Sequence, residues 1–514
     1  MDRRNLLLGA ALMPALLATG TGPLSLVSGS ARAQDSGSAN APPFDAQIVR
    51  QMARDLAAKP FKQGDQTLPA AIDKLSYDDY RDIRFNTDRS LWRGQGLPFD
   101  VQLLHRGFLF RDRVDIYLVA DGKAQKVAYS PDFFRFDNGL ARPDPKLDLG
   151  FSGFRLHGPI NRPDYFDEIA VFQGASYFRA IGKGHVYGSS ARGLSVKTGD
   201  PGGEEFPLFR AFWIERPRPG VDSIVVHALL DSPSAAAAHR FTIQPGDSTL
   251  TTVEMAIYPR TDMDQAGLAS LTSMFLFAPN DRDNIDDFRP AVCDAQGLAI
   301  INGNGERMWR PLVNPTRLQI SSFSDTNMRG FGLMQRQRSF FDYQDLEARY
   351  EKRPSIWVEP IGDWGEGAVH LVEIPTREEV HDNIVAFWRP KEAMRKGGEY
   401  FYTYRLHWAW DTPDRAAVAR FAATRAGGTP ERRLFVLDLV GERVKGLALD
   451  GVKPSVSTNS GQVSNVVLQP NPEIQGLRLS FAFEPKGAEV AELRAQVMQG
   501  DERLSETWIY RWTP

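Results

Sequence analysis

The stretch RPSIWVEPIGDWGEGAVHLVEIPTREEVHDNIVAFWRP, residues 353–390, decides the fold class. It consists of short runs of Val, Ile and aromatic residues, interrupted by Pro and Gly. Such runs predict β-strands, and the interrupting residues predict the turns between them. Three Trp residues lie among carboxylates here, at positions 357, 364 and 388. Flat rings beside carboxylates suit a carbohydrate site, although Trp in a strand more often packs in a core.

The chain outside this stretch has the same β character from about Phe99 onward. SIVVHALLD and HRFTIQPGDSTLTTVEMAIYP predict long strands, and Asp121-Gly122 predicts a hairpin turn. Helical spacing of apolar residues is confined to residues 45–60, and Ser76 with Asp79 predicts the start of a second short helix. Many strands at short spacing, with few helices between them, predict a mainly β protein built on a large antiparallel β-sandwich.

The composition changes near residues 390–400, where PKEAMRKGGE is charged and contains Gly, as a linker does. The segment that follows has the size of one immunoglobulin-like β-sandwich. Its predicted strands are YFYTYRLHWAW, RLFVLDLVG, LRLSFAFEP, ELRAQVMQ and ETWIYRW, and ATRAGGTPER is predicted as a loop between the first two. We therefore predict a boundary that separates residues 34–392 from residues 393–514.

The first 33 residues are typical of an export signal. Arg3-Arg4 precedes an Ala- and Leu-rich apolar segment, and Ala31-Arg32-Ala33 supplies small residues at a cleavage position. The paired arginines indicate a twin-arginine signal peptide over residues 1–33, and hence a periplasmic protein. A membrane anchor is less favoured, because the apolar run is short and is interrupted by Pro and Gly.

Several chemistries find no support in the sequence. The formal net charge is −3, so nothing attracts a polyanion and we predict no nucleic-acid binding. The only cysteine, Cys293, is expected to be a small buried apolar residue. The eight histidines have no metal-ligand spacing, and the acidic run at 281–287 lacks the glycine of a calcium loop, so we predict no metal and no cofactor. Catalysis by carboxyl groups, as in the cleavage of glycosidic bonds, is still compatible with the sequence. The Asp and Glu residues are too numerous for composition to indicate which of them would be catalytic.

A series of motifs runs in one order along nearly the whole chain. They include SLWRG (90–94), DLGFSGFRL (148–156), GASYFRAIG (174–182), YGSSARGL (187–194), EEFPLFRAFW (204–213), RMWRPLVNP (307–315), KRPSIWVEP (352–360) and DNIVAFW (382–388). Through these motifs the sequence resembles the periplasmic glucan biosynthesis proteins of the OpgG/OpgD (MdoG/MdoD) family. The Arg3-Arg4 leader favours the D type over the G type.

The resemblance implies a fold, a substrate and a reaction. The fold is an N-terminal β-sandwich of the galactose-mutarotase supersandwich kind, which acts on glucan, followed by an immunoglobulin-like domain. The substrate is an osmoregulated periplasmic glucan with a β-1,2-linked glucose backbone, and the implied activity is that of an inverting endo-β-1,2-glucanase. The family's general acid falls on Asp382 of the DNIV motif, its general base on Asp294 before the GNGE turn, and its relay tyrosine on Tyr350.

Each implied role has a structural alternative. Asp382 needs a raised pKa to act as an acid, but it could instead be a turn or cap residue. Asp294 could be a loop carboxylate beside Cys293. Five aromatic residues are candidates for stacking on sugar rings, each with core packing as an equal alternative: Trp309, Tyr343, Trp357, Trp364 and Trp388.

Two functions compete with hydrolysis of β-1,2-glucan. One is a non-catalytic glucan-binding or assembly factor, whose C-terminal sandwich contacts the membrane machinery that synthesises the glucan. The other is a transglycosylase that transfers or cyclises cleaved chains. The fold serves all three functions and does not choose among them, and the oligomeric state is left open by the sequence.

Overall fold

The structure is a computed structural model that describes residues 41–282, 285–413 and 418–514. The predicted signal peptide, residues 1–33, lies outside the described residues. Three α-helices are present in the described part, and all lie near its N-terminal end: α1 (Ala46–Ala57), α2 (Ala70–Asp73) and α3 (Tyr77–Arg81). Helix α3 begins with the predicted capping box, in which Ser76 and Asp79 bind each other's backbone N–H groups. Short 3₁₀ helices lie at Thr87–Arg89, Pro131–Phe133, Phe340–Asp342, Tyr350–Lys352 and Pro472–Ile474.

The rest of the regular structure is β. The strands of the first half are β1 (Ile83–Phe85), β2 (Asp100–Leu104), β3 (Asp115–Ala120), β4 (Lys123–Lys126), β5 (Phe134–Phe136), β6 (Gly153–Gly158), β7 (Asp167–Gln173), β8 (Tyr177–Ala180), β9 (Ser190–Arg192), β10 (Ser195–Val196), β11 (Leu208–Glu215), β12 (Ile224–Asp231), β13 (Ala235–Gln244), β14 (Thr249–Pro259) and β15 (Ala266–Ser273). Those of the middle are β16 (Phe275–Phe277), β17 (Val292–Cys293), β18 (Gly297–Ile301), β19 (Arg307–Pro311), β20 (Gln319–Thr326), β21 (Gly330–Met334), β22 (Ser355–Ile361), β23 (Glu366–Glu373), β24 (Ile384–Pro390) and β25 (Tyr400–Ala409). The last are β26 (Arg420–Thr429), β27 (Arg432–Val440), β28 (Val452–Thr458), β29 (Gln462–Asn471), β30 (Gly476–Glu484), β31 (Ala491–Gln499), β32 (Glu502–Arg503) and β33 (Thr507–Trp512).

These strands form three main sheets. Sheet I has 15 strands in the order β28-β31-β33-β19-β18-β21-β22-β25-β14-β13-β12-β11-β3-β4, with β32 beside β31. Sheet II has 10 strands in the order β2-β6-β7-β8-β9-β15-β24-β23-β20, with β10 beside β15. Sheet III has four strands in the order β26-β27-β30-β29. The prediction of a mainly β protein with β-sandwich architecture is confirmed.

Sheets I and II pack face to face around the main core. Phe154 and Phe172 of sheet II meet Phe212 of sheet I, with ring centroids 5.0 and 5.5 Å apart. Phe178 of sheet II meets Phe241 of sheet I at 5.1 Å. Edge-to-face aromatic pairs at such distances bury large apolar areas in a specific geometry, so they fix how the two sheets align. The residue 353–390 stretch contributes strands to both sheets.

Sheet I is buried on both faces where it passes between sheets II and III. In β18, Leu298 and Ile300 face the core shared with sheet II, whereas Ala299 and Ile301 face the core shared with sheet III. A strand that is covered on both sides needs apolar residues at consecutive positions, which is what the sequence GLAII provides. Phe435 and Phe481 of sheet III pack there against Trp508 of sheet I, at 5.7 and 5.9 Å.

Two predictions for the C-terminal segment are wrong. The strand YFYTYRLHWAW was assigned to the C-terminal sandwich, but β25 lies in sheet I between β14 and β22 and adds Leu406 and Trp408 to the main core. The segment ATRAGGTPER, predicted as a loop, is largely strand β26, which pairs along its length with β27. The four later strands are confirmed, and β31 and β33 extend sheet I. The boundary between residues 392 and 393 stays a prediction.

The contact between Gly297 and Trp309 leaves no room for a side chain at position 297. A Cβ atom there would lie 2.2 Å from Cη2 of the Trp309 ring, which is itself 3% exposed. We expect Gly297→Ala to lower the free energy of unfolding by about 1–3 kcal/mol, because a buried indole ring has to shift. Thermal unfolding of the purified variant measures this effect. Gly427→Ala is the matched control, since a Cβ atom at position 427 would have no other atom within 4 Å; equal melting temperatures for the two variants would contradict the expectation.

Candidate active site

Asp382 lies in the loop that joins β23 of sheet II to β24. Its neighbour Asn383 holds this loop in place: the side chain accepts a hydrogen bond from the Phe275 N–H at 2.8 Å and donates to the carbonyls of Phe275 and Ile374 at 3.0 Å each. Asp382 itself is 2% exposed. Its Oδ2 atom is buried and has no hydrogen-bond partner among the described residues, and the nearest cation is Arg179, whose Nη2 is 3.9 Å away.

Burial is the main reason why the pKa of the Asp382 carboxyl group is higher than that of an exposed aspartate. Removal from water raises its pKa, and the negative charge of Asp294 acts in the same direction, whereas Arg179, Arg192 and Arg353 act in the opposite one. Together these effects raise the pKa to about 6. The structure therefore brings Asp294 and Asp382 within electrostatic range of each other. A carboxyl group with a pKa near 6 is partly protonated in mildly acidic solution, which is the state that a general acid needs.

Asp294 lies in the turn between β17 and β18 and is 4% exposed. Its backbone N–H donates to the Met274 carbonyl at 2.8 Å, which ties the turn to the neighbouring chain. The Asp294 carboxylate forms an ion pair with the Arg353 guanidinium. A Cβ atom on Gly188 would lie 2.8 Å from the Arg353 Cβ, so a glycine is needed there for this arginine to reach its position.

Tyr350 is buried beneath Arg353, whose Cζ lies 4.3 Å from the centre of the tyrosine ring. Burial raises the pKa of Tyr350, so its hydroxyl group keeps its proton. That hydroxyl donates a long hydrogen bond of 3.5 Å to Oε2 of Glu379. Arg353 thus contacts both the Tyr350 ring and the Asp294 carboxylate, whereas the Tyr350 hydroxyl contacts Glu379.

Arginines and one tyrosine that the sequence analysis did not select complete the cluster. Arg179 donates to Ser190 Oγ at 2.7 Å. Arg192 forms a buried ion pair with Glu204 at 2.6 Å, and its Cζ lies 4.8 Å from the Tyr177 ring. The Tyr177 hydroxyl is buried without a hydrogen-bond partner among the described residues. Arg179 lies in GASYFRAIG and Arg192 in YGSSARGL, two of the motifs on which the family resemblance rests.

Glu379 is held by an arginine that joins three loops. Arg289 contacts Glu379 at 2.8 Å, Asp345 at 2.9 Å and Asp287 at 2.8 Å. Two exposed aromatic residues lie on the loops that Arg289 connects: Phe288 is 79% exposed and Phe341 is 76% exposed. Rings at this exposure are available to a ligand, and the sequence analysis did not select them.

The five predicted stacking residues all lie in hydrophobic cores. Tyr343, Trp364 and Trp388 are in the core between sheets I and II, and Trp309 and Trp357 are in the core under sheet III. Their exposed fractions do not exceed 5%. Three of the rings cover a glycine on the adjacent strand: Trp309 covers Gly297, Trp357 covers Gly330 and Trp388 covers Gly367. The positions favour core packing, the alternative that the sequence left open, over contact with a sugar.

Cys293 is also a core residue and is fully buried, as predicted. Burial raises the pKa of its thiol, which disfavours the thiolate form that a nucleophile needs. Within the described residues, no three His, Cys, Asp or Glu side chains are grouped so that they could hold a metal ion. None of the helices in that part of the chain is both long and apolar enough to cross a membrane.

Fold and site together define a β-sandwich protein with two buried aspartates in a frame of arginines. The sequence matches the family described as "Periplasmic glucan biosynthesis protein, MdoG" over residues 44–512. The chain is 56% identical to a "Glucans biosynthesis protein G" of Rhodopseudomonas palustris, with 100% of both chains covered. It is 52% identical to the protein of that name from Vibrio cholerae, over 91% of this chain and 87% of the relative. The chain belongs to the MdoG family of periplasmic glucan biosynthesis proteins.

Family membership also implies a periplasmic setting. The relatives from Rhodopseudomonas palustris, Bradyrhizobium diazoefficiens and Vibrio cholerae are all named for the G type. The preference for the D type is therefore wrong. It rested on the paired arginines at the start of the chain, a feature of export that says little about the folded protein.

Proposed function

We propose that this protein cleaves the β-1,2-linked backbone of periplasmic glucan, as an inverting endoglucanase with Asp382 as its general acid. The observation that carries the proposal is the state of the Asp382 carboxyl group. It is buried, its pKa is near 6, and one of its oxygens has no hydrogen-bond partner among the described residues. A protonated carboxyl group of this kind can donate its proton to a glycosidic oxygen as the bond breaks.

Three arginines near Asp382 can stabilise the negative charge that it acquires during the reaction. Once its proton has moved to the leaving oxygen, Asp382 is an anion in a site from which water is largely excluded. Arg179 lies 3.9 Å from it, and Arg192 and Arg353 also stabilise the charged form. Favourable charges that are already in place lower the free energy of the transition state, because they need no reorganisation during the reaction.

Asp294 is the proposed general base, which removes a proton from the attacking water. Its ion pair with Arg353 fixes the position of the carboxylate. Tyr350 keeps its own proton and contacts Glu379, so it can pass a proton only by accepting one while it donates another. In an inverting reaction, water attacks the face of the sugar opposite to the leaving group, which makes two separate carboxyl groups necessary.

Incubation of the purified protein with linear β-1,2-glucan tests this function. We expect the release of short β-1,2-linked oligosaccharides whose new reducing ends are first α anomers, as ¹H NMR of the early products can show. Asp501→Asn, a change in an exposed turn, is the control and should cleave at the wild-type rate. Binding without release would instead indicate an assembly factor, which could contact the membrane synthesis machinery. Longer or cyclic products would indicate a transglycosylase.

A further inference from the structure

A row of polar and aromatic side chains crosses the outer face of sheet II. Ser322 of β20 lies opposite His370 of β23, which lies opposite Phe387 of β24. The His370 and Phe387 rings are stacked with centroids 5.4 Å apart, and the Arg389 Cζ lies 5.4 Å from the Phe387 ring centre. Trp388, between these two residues of β24, faces the core instead. Because side chains alternate along a strand, the row lies on the face directed away from sheet I.

Two adjoining cavities open at the Arg389 end of this row. One, of about 430 Å³, is lined by Thr198, Asp200 and Gln265. The other, of about 590 Å³, is lined by Asp325, Glu366 and His370. Asp264 and Arg389 line both cavities, so the two form one groove. We call it the Arg389 groove.

Arg389 is the group in the groove whose hydrogen bonding is incomplete. Its Nε atom is buried and has no partner among the described residues. Burial lowers the pKa of Arg389, and the negative charge of Asp264 acts against that decrease. A buried N–H group without an acceptor is unfavourable. A ligand with an oxygen atom that accepts from this N–H group is therefore bound more tightly than a ligand without one.

The Arg389 groove is linked to the cluster around Asp382 through two short contacts. Thr198, which lines the groove, donates a hydrogen bond of 2.6 Å to Glu204. Glu204 in turn pairs with Arg192 at 2.6 Å, and the charge of Arg192 acts on Asp382. Thr198, Glu204 and Arg192 therefore connect the groove to the surroundings of Asp382.

The lining of the groove favours a neutral ligand with many hydroxyl groups. Carboxylates at positions 200, 264, 325 and 366 outnumber the cations Arg389 and Lys391, so a polyanion is repelled. Hydroxyl groups donate to carboxylates and accept from guanidinium and amide groups, so one polyol can satisfy all of them. A polymer cut within its length must also extend beyond the residues that cut it.

We propose that the Arg389 groove is a distal subsite, which binds glucose units of the same glucan chain away from the bond that is cleaved. This inference rests on the proposed function for the identity of the ligand. The groove adds contacts that only a long chain reaches. It therefore increases the affinity for long glucans and leaves the affinity for short oligosaccharides unchanged.

Isothermal titration with two lengths of β-1,2-glucan tests the subsite. Titrations use protein carrying Asp382→Asn, so that cleavage does not disturb them, with a long linear glucan and a β-1,2-linked pentasaccharide. We expect Arg389→Ala to raise the Kd of the long glucan about tenfold and to leave that of the pentasaccharide unchanged. Asp264→Asn, a milder change in the same groove, should act in the same direction. Arg395→Ala is the control, since that arginine is 70% exposed and pairs with Asp262 outside the groove.

Two results would overturn the subsite. One is an unchanged Kd for the long glucan in both groove variants, with melting temperatures that show intact folding. The other is an equal loss of affinity for long and short glucans, because a distal site cannot affect a ligand that does not reach it. A failure of the proposed function would appear elsewhere, as the absence of product release from the wild-type protein, and these binding measurements do not depend on release.

Discussion

Asp382→Asn is expected to slow glucan cleavage by about 10²–10⁴-fold, the usual contribution of a general acid. Asn has nearly the same shape as Asp but cannot donate a proton to the leaving oxygen. Because Asp382 Oδ2 has no hydrogen-bond partner among the described residues, the exchange breaks no hydrogen bond there, and the fold should persist. The rate of formation of reducing ends measures the effect, with Asp501→Asn as the control. Wild-type turnover by the Asp382→Asn protein would contradict the assignment of the acid.

The same substitution should change how stability depends on pH. The folded protein binds the Asp382 proton more tightly than the unfolded chain does, because the pKa rises from 3.8 to about 6. The wild type therefore loses stability as the pH rises from 4 through 6, by about 2–3 kcal/mol for a shift of this size. The Asn variant has no such group and should be spared that loss. Melting temperatures of both proteins at pH 4 and pH 7 test this. Equal changes in the two proteins would show that folding does not raise the pKa of Asp382.

Arg310→Met is expected to lower the free energy of unfolding by about 3–5 kcal/mol, a typical result when one partner of a buried ion pair is lost. Arg310 of sheet I and Glu373 of sheet II are 1% and 0% exposed at their side chains, and Nη2 lies 3.1 Å from Oε2. Glu373 also accepts a hydrogen bond from the Val313 N–H at 2.9 Å. Without the arginine, a charged carboxylate would be left in the core between the two sheets.

Two further proteins separate the loss of the ion pair from other effects of Arg310→Met. The double variant Arg310→Met with Glu373→Gln should recover much of the stability, because no unpaired buried charge remains. Arg395→Met removes the exposed partner of Asp262 and should leave the stability almost unchanged. Denaturant unfolding compares all three proteins. A double variant no more stable than Arg310→Met would show that the arginine acts through its packing, for instance against Tyr510, whose ring centre is 5.8 Å from its Cζ.

The sequence predicted strands well because their signals are local. Composition and turn residues within 353–390 are enough to predict β22, β23 and β24. Composition does not show which sheet a strand joins. The charged, Gly-containing segment before Tyr400 resembles a linker between domains, but it is the connection by which the chain passes from β24 of sheet II to β25 of sheet I. Membership of a sheet depends on pairing with β14 and β22, and β14 is distant in sequence.

The candidate site was predictable only in part. The DNIV motif located Asp382, and the structure shows a burial that fits its proposed role. The arginines that surround it come from β8, β9 and the segment before β22, and no spacing rule joins such distant positions. Composition does not show whether a tryptophan is buried. Trp357 lies in sheet I, which is covered on both faces, and Trp388 lies on the face of sheet II that meets the main core.

Sheet I joins strands of the C-terminal region to strands of the rest of the protein by backbone hydrogen bonds. Strand β33 lies in parallel register beside β19, with Met308 opposite Thr507 and Trp309 opposite Trp508. Excision of the last hundred or so residues would leave the backbone N–H and C=O groups of β19 unpaired along an open edge, and such edges recruit strands from other molecules. Force applied at the C-terminus would act on the backbone hydrogen bonds that join β33 to β19 and β31.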